Sequence, residues 1–160
     1  MRKPEDFTKS LDEAEGACVA FLAEALGMRP GVDLFRSVNP GVADGGVFDI
    51  GYPQTGDLNT FRAPVYHFRA RLDLVSRDRR LLQARLMAIL AALPVSSRHA
   101  PGSPLRADTN VETLRVAPEA GAVGEITTAK IAVEEGRREI PVFTSSVRFD
   151  VVFLAGDRAE

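Results

Sequence analysis

The sequence predicts an α+β domain, with a largely antiparallel mixed sheet of about five to six strands and two main helices packed on one face. Three observations predict it. Residues 65–75 alternate Tyr66, Phe68, Ala70, Leu72 and Leu74 with His67, Arg69, Arg71 and Asp73, which marks a strand with one buried and one wet face. Leu82, Leu86, Ile89, Leu90 and Leu93 follow at three- and four-residue steps, the stripe of an amphipathic helix. Residues 142–154 alternate again through Val147, Phe149, Val151 and Phe153. The elements run helix, strands, helix, strands, and two helices cannot cover both faces of such a sheet.

Each element has its own local reason. Ser10-Leu11-Asp12-Glu13 reads as a capping box, so a first helix is expected from Ser10 to about Leu26. Gly27 stands where a left-handed residue closes a helix. Residues 31–36 and 47–52 are short strand candidates, and the turn-rich stretch 39–46 joins them. Ser76 or Asp78 can cap the second helix, and Pro94 stops it. Residues 110–116 and 126–133 are further strands, and Ile131 and Val133 are expected to pair back against the last strand through the charged turn 134–139. That last strand is apolar on both faces in its second half, as expected of a central strand or of an edge covered by another subunit. The whole chain, 1–160, is expected to form one domain, with mobile segments at 39–46 and at the proline-rich 94–104.

Composition narrows the function classes. A net charge of −2 gives no bulk attraction to nucleic acid or to a membrane surface. The single cysteine, Cys18, excludes an internal disulfide and suits a reducing compartment. Residues 1–6 are not followed by the apolar run of a signal peptide, and no stretch has the length and apolarity of a membrane span.

Reactive constellations are not evident. Gly41, Gly45 and Gly46 lack the lysine of a P-loop and the spacing of a dinucleotide fingerprint. Cys18, His67 and His99 are too scattered to suggest a zinc site. Ser96 and Ser97 lie near His99 only within a proline-rich loop. No catalytic residue, metal or cofactor is expected.

Charge is distributed unevenly. Residues 61–93 carry seven arginines (62, 69, 71, 77, 79, 80 and 85) against Asp73 and Asp78. Cations at 77, 79 and 80 oppose the dipole at a helix start, so a nearby acidic partner is expected. Arg69, Arg71, Arg77, Arg79 and Arg80 form one candidate interface patch, and Asp12, Glu13, Glu15 and Glu24 on the first helix form the other.

Three segments together resemble a known family. They are the amphipathic N-terminal helix, the strand Tyr66-His67-Phe68-Arg69-Ala70-Arg71-Leu72-Asp73-Leu74 running into the helix 80–93, and the closing strand Ser146-Val147-Arg148-Phe149-Asp150-Val151-Val152-Phe153-Leu154. In order and length the chain resembles the tail terminator (tail-completion, minor tail) proteins of bacteriophages and prophages. The resemblance implies a non-enzymatic virion protein. It would self-associate as a hexameric ring, cap the tail tube protein and meet the head-connector protein. It would be located in the host cytoplasm during assembly and in the virion tail afterwards. No membrane is involved, and nucleic acid is not expected as a partner. Two other readings stay open: a small α+β enzyme or ligand-binding module with a pocket at His67, and a nucleic-acid binder using the Arg69–Arg85 basic face.

Overall fold

The computed structural model describes residues 4–53, 65–96, 109–133 and 137–154. Its elements are α1 (Pro4–Leu26), β1 (Leu34–Arg36), β2 (Gly45–Pro53), β3 (Val65–Ser76), α2 (Arg79–Ala92), β4 (Val95–Ser96), β5 (Val111–Val116), β6 (Thr127–Val133) and β7 (Arg138–Leu154). The class is α+β as expected. The described strands form one sheet in the order β1-β2-β3-β7-β5-β4, with β6 also paired to β7. Only the β1–β2 pair is parallel. The strand count reaches seven because the two-residue β4, inside the proline-rich segment, pairs with Thr113 and Leu114.

Strand β7 is the spine. One of its edges pairs with β3 from Phe143 to Leu154. Its other edge pairs with β6 from Arg138 to Thr144, bridges Val123 at Val147, and pairs with β5 from Phe149 to Phe153. The two-sided apolarity of 147–154 is therefore that of a central strand.

Helix α1 is already helical at Pro4, so the Ser10–Glu13 box does not start it. Ser10 is instead buried within the helix, and its carbonyl accepts the Asn110 side chain at 2.8 Å. The other end follows the sequence: Gly27 has φ +66°, and the Met28 amide closes on the Ala23 carbonyl at 2.8 Å. For α2, Asp78 is the cap, its carboxylate accepting the Arg80 amide at 2.9 Å.

Both helices bury their stripes on one side of the sheet. Ala14, Cys18, Phe21 and Leu22 of α1 and Leu82, Leu86 and Ile89 of α2 join Phe48, Phe68, Leu72, Phe149 and Phe153 in a single core. Cys18 lies wholly inside it, where loss of water and the nearby Glu15 charge push its thiol far above the ordinary range.

Two helices leave the opposite face uncovered. Among the described residues the exposed large hydrophobics are Val32, Val38, Leu81, Met87 and Leu90, none of them on a strand. The outward positions of β3 and β7 carry charge instead. Three of those hydrophobics, Leu81, Met87 and Leu90, lie on α2.

The turn before β2 fixes a glycine. A Cβ at Gly45 would stand 2.5 Å from the Asp33 carbonyl oxygen, a backbone atom that also accepts the Gly46 amide. Gly45→Ala is expected to cost about 1–3 kcal/mol through that overlap. A urea midpoint equal to that of the wild type would contradict the close approach.

Candidate assembly surfaces

The outward face of the sheet is an ion-pair network centred on Asp150. The strand register sets Arg69, Asp150 and Arg115 side by side across β3, β7 and β5. The Asp150 side chain is only 3% exposed. Its Oδ2 accepts Arg115 Nε and Nη2 at 3.2 and 3.1 Å. Its Oδ1 faces His67 Nε2 at 3.2 Å and Arg69 Nε at 3.4 Å. Arg69 also donates to Glu119, and Arg148 lies 3.8 Å from the same carboxylate. Glu119 is brought there by the segment 117–124, which lies along β7: the Ala117 and Gly124 amides bond to the Arg148 and Ser146 carbonyls, and the Arg148 amide to Ala122.

Register also places Arg71 directly opposite Arg148, a repulsive pairing by itself. Each is offset locally. Arg71 Nε donates to Asp73 at 2.6 Å, and Asp73 also accepts the Ser146 hydroxyl. An open groove of about 450 Å³ lies beside this pair, lined in part by Val38, Asn39, Val47, Ile131 and Thr144. His67 is not among its lining residues.

The loop 39–46 is closed by a side chain. Asn39 Oδ1 accepts the Gly41 and Val42 amides at 2.8 and 2.7 Å, and its Nδ2 donates back to the Val42 carbonyl at 3.0 Å. Its last two residues belong to β2. Asp44 at its end ties it to the start of α2. It accepts the Ser76 hydroxyl at 2.7 Å, the Arg77 amide at 2.9 Å and the Arg77 guanidinium at 3.0 and 3.1 Å. Partial burial pushes the Asp44 carboxyl up, but these bonds together hold it below its ordinary value. For a depressed acid, the stabilising contribution is complete above the unfolded value, about pH 4, and is lost as pH falls through the folded value. The urea midpoint of the wild type should therefore drop on acidification below about pH 4 more than that of Asp44→Asn. Parallel pH curves for the two proteins would contradict this role.

Each residue of the two expected patches now has a place. Arg69, Arg71 and Arg77 are engaged within the chain, with Asp150 and Glu119, with Asp73 and with Asp44 respectively. On α1, Asp12 and Glu15 share Arg36, which donates to both at 2.5 Å. Arg36 was not anticipated, because it stands on a short edge strand distant in sequence from the helix. Arg79 and Arg80 are exposed at the start of α2, and among the described residues neither forms a side-chain ion pair. Glu13 and Glu24 are exposed on α1. Of the seven arginines of 61–93, Arg69, Arg71 and Arg77 are thus paired within the chain, while Arg79, Arg80 and Arg85 form no side-chain ion pair among the described residues.

Among the described residues there is no cluster of metal-ligating side chains. Cys18 is in the core and His67 is on the opposite face of the sheet, while Ser97 and His99 lie outside the described residues, as do Arg62, Glu134 and Glu135. No described helix is long and apolar enough to cross a membrane.

One further feature projects from the sheet. Strand β3 ends at Ser76, opposite Phe143, so among the described strands β6 alone pairs with residues 138–142 of β7. The β6–β7 pair therefore runs on as a two-stranded ribbon. Thr127, Thr128, Ala129, Lys130 and Ala132 on β6 are exposed. The loop at Gly41 packs against its far end, near the Ala132 carbonyl.

No family model and no curated protein matches the chain. Among solved structures it is similar to a chain from the virion of a native gene transfer agent particle, with 13% identity, a TM-score of 0.40 and 84% of each chain covered. A likeness at that score carries no argument about function.

Proposed function

We propose that this chain is a structural subunit of a phage-type tail: a terminator that closes into a ring, hexameric as in the family it resembles, caps the tail tube and offers a surface to the head connector. The β6–β7 ribbon carries the reading. A two-stranded ribbon is marginal in water by itself, and an open edge is a template for pairing. Strand β6 presents seven residues of edge with no proline, and Lys130 is its one charge. Within the chain the ribbon meets the loop at Gly41, and its open β6 edge is left for a contact in an assembly.

The test is to shorten the ribbon. Residues 130–141 are replaced by Asn-Gly, a two-residue hairpin turn. The shortened chain is expected to keep its far-UV spectrum and to lose capture by the ends of purified tail tubes. Undiminished capture by the shortened chain would contradict the proposed role.

A further inference from the structure

The outer side of α2 combines two features that a free surface does not need. Leu81, Met87 and Leu90 are 38%, 65% and 47% exposed, with exposed Ala84 and Ala91 among them. Arg79 and Arg80 stand in the first turn, where the helix dipole is positive, and that turn holds no acidic residue. Apolar exposure beside two cations at a helix start, where the Asp78 cap is the one nearby carboxylate on the helix, calls for a partner that is apolar in part and acidic.

We propose that this side of α2 packs against the exposed side of α1 on a second copy of the chain, a contact that rests on the ring reading above. Charge selects the occupant. Helix α1 carries six carboxylates and one lysine, and α2 carries three arginines and no acid. Two α2 helices facing each other would bring six arginines together with nothing between them. Packing α2 on a neighbour's α1 instead sets the exposed Arg79 and Arg80 against a helix whose exposed side includes Ala20 and Glu24. The contact is heterologous: α2 of each copy uses α1 of the next, so each copy keeps one helix free for another neighbour, as a closed ring requires. Within one chain α1 and α2 already lie side by side, so the contact extends a single helical layer from subunit to subunit.

Disulfide trapping tests it on the full chain. Ala20→Cys and Met87→Cys are introduced together; both positions are exposed, and Cys18 is wholly buried. Mild oxidation is expected to give a ladder of covalent oligomers from the double variant and none from either single variant. Arg80→Glu is expected to raise the concentration of half-assembly about tenfold, and Glu24→Arg added to the same chain should restore it. Dimers from Met87→Cys alone, a cross-link confined within one chain, or assembly indifferent to Arg80→Glu would overturn this contact. If the wild type still assembles in those cases, only the α2–α1 contact fails and the ring stands. A wild type that assembles neither alone nor on tail tubes, with no ladder from the double variant, overturns both.

Discussion

Asp150→Ala is expected to destabilise the fold by about 3–5 kcal/mol, a large part of the 5–15 kcal/mol that holds a typical domain together. The Asp150 carboxylate is almost wholly removed from water and faces Arg115, Arg69 and His67. Removing it leaves the guanidiniums of Arg69 and Arg115 on the two strands that flank β7 without their shared acid, with Glu119 as the remaining acid between Arg69 and Arg148. The loss comes from stranded charge rather than from the ion pair's own net value, and this separates two variants. Asp150→Ala should be severe, whereas Asp150→Leu combined with Arg69→Met and Arg115→Met should recover most of the lost stability, because well-packed apolar groups replace a buried ionic network at little or no cost. Urea unfolding of the wild type, the single variant and the triple variant decides this. A change below about 1 kcal/mol for Asp150→Ala would mean that water reaches the carboxylate freely.

Phe149→Ala is expected to cost a similar amount, about 3–5 kcal/mol, by a different route. Phe149 is fully buried on β7, between Ala70 of β3 and Val116 of β5. Its ring lies 6.2 Å from that of Phe48 on β2, tilted by 51°. It also belongs to the cluster that receives both helices, so truncation opens a cavity where the sheet meets the helical layer. Phe149→Leu keeps most of the volume and should cost less than about 1.5 kcal/mol. The ratio of the two effects is the informative quantity. Equal losses would point to disturbed strand pairing, while a small loss for alanine would mean that the site collapses around the gap.

The strong signals in the sequence were the periodicities sustained over many residues. Eleven alternating residues located β3, and the stripe from Leu82 to Leu93 located α2. The buried set of Phe68, Ala70, Leu72 and Leu74 matches the even positions of the strand. Pairing of Ile131 and Val133 with the last strand was also legible, and they meet Ile140 and Arg138. Local signals fared less well. The capping box at Ser10 was outweighed by helix continuing through it, and Ser10 serves instead as an anchor for Asn110. Strand β4 is too short to have a period, and only its pairing with β5 defines it.

The candidate surfaces were legible as residues but not as partnerships. Charge counting found the arginines, but pairing across strands depends on register, which sequence spacing does not reveal. Arg69 and Asp150 are 81 positions apart in the chain and face each other only because β3 and β7 align in that frame. Arg36 likewise reaches Asp12 and Glu15 from the sheet edge. What survives of the original idea is its least neutralised part, the start of α2, where two cations sit against a helix dipole beside exposed leucine and methionine. The ribbon was invisible for the same reason as the pairs: it exists because β7 outruns β3, and strand length alone does not say where a neighbour stops.

The most direct measurement is the native mass of the full-length chain over a range of concentrations, alone and with purified tail tubes, followed by imaging of any large species. A closed ring of about six copies, free in solution or seated on tube ends, is the expected result. A chain that stays monomeric at every concentration and leaves the tubes uncapped would contradict the account.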